Sequence, residues 1–331
     1  MFNRTFTVLM IAASLVAFGC GDDDTTTAGT GGTAGTTAGT GGTGGTAGMA
    51  GTGGTGGTAG MAGTGGTGGA APMDIVETAI AAGTFTQLAA ALTAADLVDD
   101  LQGPGPFTVF APTDDAFDAF EAANPGVLAG LTPDQLIGIL TYHVVSGEVM
   151  STDLNDEGVA TTLSGSPVIF DLTGGAKVND ANITTADIEA ENGVIHVIDT
   201  IILPPADDIV ATAIAAGSFT SLAGALTDAE LVDDLQAAGP FTVFAPTDAA
   251  FAALSAVPSG QALIDVLLYH VVSGAVGSGD LTAGDVPTLL DGESLTVALE
   301  SGVQINGANV TMANILTKNG VIHVVDAVLV P

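Results

Sequence analysis

The stretch GPFTVFAPTDDAF, Gly105–Phe117, recurs as GPFTVFAPTDAAF, Gly239–Phe251, with one difference, Asp115 against Ala249. Its pattern is strand, turn and helix start. FTVF is a short run of β-branched and aromatic residues closed by Pro112. Thr113 stands where a helix N-cap belongs, and the two acids after it suit the positive end of a helix dipole. Phe107, Val109, Phe110 and Phe117 are candidate core residues. A structural brace accounts for every residue type in the peptide. The competing reading, Asp114 and Asp115 as paired catalytic carboxylates, fails because adjacent helix residues do not face each other, and the second copy has Ala249 there.

Outward from this peptide the duplication continues. DIVETAIAAGTFTQLAAALTAADLVDDLQ from Asp74 is matched by DIVATAIAAGSFTSLAGALTDAELVDDLQ from Asp208. YHVVSGEV from Tyr142 is matched by YHVVSGAV from Tyr269, and NGVIHVIDTIILPP from Asn192 by NGVIHVVDAVLVP from Asn319. The copies are offset by 134 residues through the opening peptide and by 127 after it, so the second has lost seven residues between Phe251 and Tyr269. The spacing predicts two tandem domains, 73–205 and 206–331, joined at Pro204-Pro205-Ala206. A domain of about 130 residues buries roughly two-thirds of its unfolded surface, enough for a core without disulfides.

Within a copy the pattern predicts helices first and strands last. Ile75, Val76, Ala79 and Ile80 have helical spacing ended by Gly83, and Thr93 with Asp96 opens a second helix over AADLVDDLQ. Thr132, Pro133 and Gln135 form a capping box with proline at the first helical position. After Tyr142 come strands: TTL, PVIFDL, AKVN and NITTAD, then a hairpin turning at Asn192-Gly193 into VIHVIDTIIL. The class is α+β with a mainly antiparallel sheet.

FTVFAPTDDAF, YHVVSG and NGVIHVID, in that order and twice, resemble the fasciclin domain family. The first and last correspond to its two signature segments, the middle to its Tyr-His motif. The resemblance implies helices packed around a wedge of β-strands. It also implies adhesion to cells, matrix or polysaccharide rather than catalysis. In animal members adhesion is attributed to the Tyr-His motif and to an Asp-Ile pair before the last signature. Carried over, these fall on Tyr142 and His143, on Tyr269 and His270, and on Asp187 and Ile188; the second domain has Asn314 and Ile315 at the last site. Two tyrosines are all the chain has, and both lie in these motifs, which fits a contact role and equally a buried phenol with a satisfied hydroxyl.

The first twenty residues read as an export signal: Arg4, the apolar run TVLMIAASLVAF, then Gly19-Cys20. Cys20, the one cysteine, resembles a bacterial lipoprotein processing site, so the expected form is a lipid-anchored protein exported to the cell surface or periplasm. Residues 21–72, almost wholly Gly, Thr and Ala, lack the apolar surface to offset chain entropy and are expected to form a tether, with a mean reach of roughly 40 Å.

Charge excludes nucleic acid as a partner. Net charge is −34, and past the signal only Lys177 and Lys318 face the 37 acids, whereas phosphate binding depends on Lys and Arg. The four histidines, His143, His196, His270 and His323, sit in repeated motifs. As metal ligands they would need a third donor, and Asp199 and Asp326 fall on the opposite strand face, so hydrogen-bonded structural histidines are expected and no metal or cofactor. DLNDEG from Asp153 copies the start of a calcium loop, but Ser164 stands at its closing position. No nucleophile elbow or HExxH occurs. The expectation is a non-enzymatic protein binding extracellular polymer, polysaccharide or a cell-surface protein, with a self-associating structural module as the alternative.

Overall fold

The structure, a computed structural model, describes residues 72–331. Cys20, the signal and all of the tether before residue 72 lie outside the described residues.

In the first domain the helices are α1 (Ile75–Ala82), α2 (Thr86–Ala94), α3 (Val98–Leu101), α4 (Asp114–Ala123) and α5 (Pro133–Tyr142). Its strands are β1 (Phe107–Pro112), β2 (Val144–Ser146), β3 (Val159–Thr161), β4 (Pro167–Asp171), β5 (Lys177–Val178), β6 (Ala181–Ala190) and β7 (Gly193–Ile198). The second repeats this with α6 (Ile209–Ala216), α7 (Thr220–Asp228), α8 (Val232–Gln236), α9 (Asp248–Ala252) and α10 (Gln261–Tyr269). Its strands are β8 (Phe241–Pro246), β9 (Val271–Ser273), β10 (Gly284–Pro287), β11 (Ser294–Ala298), β12 (Gln304–Ile305), β13 (Ala308–Thr317) and β14 (Gly320–Val325).

Each domain holds a seven-stranded mixed sheet, ordered β2-β1-β7-β6-β5-β4-β3 in the first. β1 is flanked by β2, antiparallel, and by β7, parallel, with Val109 opposite Ile195 and Phe110 opposite His196. All other pairings are antiparallel. The opening peptide is thus a central strand, which explains why FTVF alternates nothing polar except Thr108. Phe107, Val109 and Ala111 join the helix-side core with Ile75, Leu88, Leu140 and Ile195. Phe110 points the other way, into a second core with Tyr142, Val168, Phe170 and Ile198. A strand buried on both faces reads as a continuous apolar run. Thr108 is buried too, its hydroxyl donating to the Gly147 carbonyl at 2.8 Å and accepting from the Val149 amide.

The parallel start of β1 and β7 dictates two glycines. A Cβ on Gly193 would stand 1.9 Å from the Phe107 carbonyl oxygen, and one on Gly105 2.0 Å from that of Asn192. Gly239 and Gly320 meet the same limits in the second domain.

The capping predictions at Thr113 and Thr132 hold: Thr113 accepts from the Ala116 amide, and Thr132 and Gln135 complete a capping box. Gly83 ends α1 at a φ of 71°. The helix expected from Thr93 is different. Thr93 lies inside α2 with its hydroxyl donating to the Ala89 carbonyl, and Asp96, at a φ of 58°, turns the chain into the single turn of α3. The hairpin turn also sits one residue earlier, at Glu191-Asn192, with Gly193 paired to Ala190 in the sheet. Beyond Ile198 no strand continues.

Candidate contact site

The four histidines are main-chain joints. His143, the C-cap of α5, donates from Nδ1 to the Ile139 carbonyl at 2.8 Å and accepts at Nε2 from the Ile202 amide. His270 does the same between the Val266 carbonyl and the Leu329 amide. His196 donates from Nε2 to the Val149 carbonyl and accepts at Nδ1 from the Asp187 amide, while its ring stacks on Phe110 at 5.6 Å. His323 repeats this with the Val276 carbonyl, the Asn314 amide and Phe244. Each pattern requires one protonated and one bare ring nitrogen, the neutral imidazole. Burial pushes His143 and His270 down to about 4, against the weaker pull of the Ile139 and Val266 carbonyls. With both nitrogens committed, none of the rings offers a lone pair to an ion. Among the described residues no three His, Cys, Asp or Glu side chains gather as a metal site.

The tyrosines are equally committed. The Tyr142 hydroxyl donates to the Pro167 carbonyl at 2.9 Å and accepts from Asn179 Nδ2 at 2.9 Å; Tyr269 does so with Ser294 and Asn306. Burial raises the Tyr142 phenol to about 12, with the Asn179 hydrogen bond opposing. Tyr142, His143, Tyr269 and His270 are 0, 3, 5 and 2 % exposed. The Tyr-His contact expectation is therefore corrected for all four: they bond α5 and α10 to the strands, and a side chain spent this way has no surface left for a partner.

Asp187 and Ile188 sit at a register shift between β6 and β7, where Asp187 takes a φ of 58°. Asp and Asn tolerate this left-handed region better than most residues. The carboxylate accepts from the Ser151 amide at 2.7 Å and from the Ser151 hydroxyl, and these bonds hold its pKa below the usual carboxylate range. Its Oδ1 lies 4.0 Å from His196 Nδ1, and its side chain is 30 % exposed. Ile188 is half-buried against the helix-side core. Of the candidate contact residues, Asp187 is the one with an ionised group reaching solvent.

The other acids singled out by sequence have structural partners. Asp114 accepts from the Thr86 hydroxyl and from the Thr86 and Gln87 amides, supplying from α4 the cap that α2 lacks at Phe85. Asp199 holds the Asn182 amide and side chain, and Asp326 does so for Asn309. Sequence reasoning missed the role of Asn192, whose side chain accepts from the Ile75 amide and donates to the Leu101 and Gly103 carbonyls. Its recurrence as Asn319 was the available signal, masked by the sufficiency of Asn-Gly as a turn.

A family model described as "Fasciclin domain" matches residues 83–204 and 217–331. The chain is 48% identical over 132 residues to the uncharacterized protein sll1735 of Synechocystis sp., covering 39% of this chain and 97% of that one. It is 29% identical to pig transforming growth factor-beta-induced protein ig-h3, across 70% of this chain and 36% of the relative. Against a fungal fasciclin-like arabinogalactan protein from Arthroderma benhamiae identity is 33%, over 59% of this chain and 51% of that one. A solved domain pair from the insect cell adhesion molecule Fasciclin I aligns with 76% of this chain and 98% of its own, at a TM-score of 0.34 and 18% identity. With the family model matched twice, over most of the described residues, the chain belongs to the fasciclin domain family.

Proposed function

We propose that this is a non-enzymatic adhesion protein of the cell surface, which works by contact at the outer faces of two fasciclin domains. The observation that carries this reading is the inward commitment of the repeated chemistry. Both ring nitrogens of every histidine and both tyrosine hydroxyls are spent on holding main chain or asparagine, which leaves them to architecture. The partner is an extracellular polymer, a polysaccharide or a cell-surface protein, with Asp187 and its neighbour Ile188 as the contact candidates of the first domain. Cys20 carries a lipid anchor, and residues 21–72 hold the domains away from the membrane. Domain limits of 73–205 and 206–331 belong to the same reading.

The test is a glycan-array and extracellular-polymer binding screen with the purified chain, and with the Asp187→Ala variant. Saturable binding weakened by the variant supports the proposal. Binding to nothing on the array or in polymer pull-downs, with turnover of any polymer offered, would replace it.

A second reading, a self-associating structural module, is favoured by one observation. Ile80 and Ile214 occupy equivalent positions at the ends of α1 and α6, and each is 60 % exposed. Repeated apolar knobs suit contact between copies, working against the mutual repulsion of so acidic a chain. Sedimentation of Ile80→Glu/Ile214→Glu against the parent separates the readings: only self-association through these residues predicts a change in mass.

A further inference from the structure

The first domain meets the second at two places: the Ser166 hydroxyl donates to the Lys318 carbonyl at 2.7 Å, and the segment DLNDEG, Asp153–Gly158, which mimics the start of a calcium loop, sits on a second face. Asp280 accepts from the Val159 amide at 2.7 Å and from Asn155 Nδ2 at 3.3 Å. The Gly279 amide donates to the Glu157 carbonyl at 3.1 Å, and the Ser278 hydroxyl donates to the Glu157 carboxylate. Asn314 Nδ2 reaches the same carboxylate oxygen at 3.4 Å.

The receiving face, Gly277–Asp280 with Asn314, is the duplicate of Met150–Asp153 with Asp187 in the first domain. Comparing the two copies isolates what makes one of them a seat. In the first, the Asp187 carboxylate takes both the amide and the hydroxyl proton of Ser151. In the second, Asn314 Oδ1 takes the Ser278 amide at 2.8 Å, but its Nδ2 donates to the Ser278 hydroxyl oxygen at 2.7 Å. A hydroxyl has one proton. Asp187 uses it up, whereas Asn314 fills an acceptor site instead and leaves the proton free to reach outward to Glu157.

Shape follows the same division. A Cβ on Gly279 would stand 1.9 Å from the Asp156 carbonyl oxygen, and one on Gly277 2.4 Å from that of Glu157. The first domain carries Thr152 and Met150 at these two positions, so its own face is sterically shut against such a loop. Nor does the second domain carry the matching key, since Gly284 stands where Glu157 does.

We propose that Asn314 is the specificity-determining residue of a one-way domain seat: with Gly277 and Gly279 it accepts the Glu157 loop, while Asp187, Met150 and Thr152 close the equivalent face of the first domain, so the surface pairs once, within the chain.

Hydrogen exchange of the full chain tests this at the two amides that donate across the interface, Val159 and Gly279. Asn314→Asp turns the Ser278 proton inward and sets carboxylate against carboxylate. It is expected to speed exchange at both amides about tenfold, the factor that ~1.4 kcal/mol represents, while Phe110 and Phe244, bonded inside each domain, keep their rates. Adding Glu157→Gln, whose amide donates to the new carboxylate, is expected to recover most of the protection. Unchanged rates at Val159 and Gly279, or a double variant as fast as the single one, would overturn the proposal. Should Asn314→Asp disturb Phe244 as well, Glu157→Asn decides alone: it suits the φ of 59° at that position but is too short to reach Ser278. It must raise exchange at Gly279, and a parental rate there refutes the seat.

Discussion

The Asn192 side-chain nitrogen donates to the Leu101 carbonyl at 2.7 Å, across 91 residues of chain. The same amide group accepts from the Ile75 amide, so one side chain ties the start of α1, the end of α3 and the turn into β7. Asn192→Ala leaves these main-chain groups unpaired in a half-buried site. Such losses cost about 1–3 kcal/mol for each buried group left without a partner. The expected outcome is a fall of roughly 2–4 kcal/mol in urea-unfolding stability. A change within about 0.5 kcal/mol, the usual range for surface substitutions, would mean the joint is idle.

Tyr142→Phe removes only the hydroxyl, leaving the Pro167 carbonyl and Asn179 Nδ2 without their partner in a closed core. The expected loss is about 1–3 kcal/mol, read by thermal or chemical unfolding with the binding surface intact. Were the Tyr-His motif a contact element, the variant would instead lose binding while keeping its stability.

The buried histidines make the fold sensitive to acid. His143 and His270 titrate at about 4 when folded, and their ordinary value is 6.5. Between those values the unfolded chain binds more protons, so stability falls as pH drops from 6.5 towards 4 and levels off below it for these groups. Each shift corresponds to about 3 kcal/mol. Urea midpoints should change little from pH 7.5 to about 6.5 and fall from there to 4.5, and His143→Gln should flatten part of that slope. A profile flat across that window contradicts the neutral, two-bond histidines.

Asp248 caps α7 from outside, accepting from the Ser221 amide at 2.6 Å and from the Thr220 hydroxyl. These bonds, the Ser221 amide first, lower its pKa to about 2. A depressed carboxylate stabilises the fold above its unfolded value of 3.8, and the contribution fades as pH falls through about 2. Asp248→Ala should lower the protection factor of the Ser221 amide at neutral pH, and the parent should lose the same protection only as pH falls towards about 2. Equal exchange in the two proteins at pH 7 would remove the cap.

Cys20→Ala should move the protein from the detergent phase to the aqueous phase in a partition assay. Retention of the variant in the detergent phase would overturn the proposed lipidation of Cys20.

Much of this protein was legible as repetition and local pattern. Thr113, Thr132, Pro133 and Gly83 act within one turn of where they stand, so short-range rules place them correctly. Thr93 misled because a hydroxyl before an acid resembles a cap, while the i−4 carbonyl inside α2 offered it a partner at no cost in helix. A turn at Asn192 was readable, though one residue out of register, since Gly193 already pairs with Ala190; the long-range work of the Asn192 side chain was not, because its partners lie about ninety residues away. The Tyr-His residues were open to two readings, since an aromatic beside an imidazole looks alike whether it faces water or the core.

Sequence alone determined that the chain carries one fold twice, that the fold mixes helices with strands, and that the shared peptides are braces, because periodicity, caps and turn residues act over a few neighbours. Tertiary structure decided which polar side chains face inward and which of two nearly identical faces serves as a seat. Those outcomes rest on single hydrogen-bond donors and single Cβ atoms, Asn314 against Asp187 and Gly279 against Thr152, whose consequences appear only when distant segments close to within 3 Å or so.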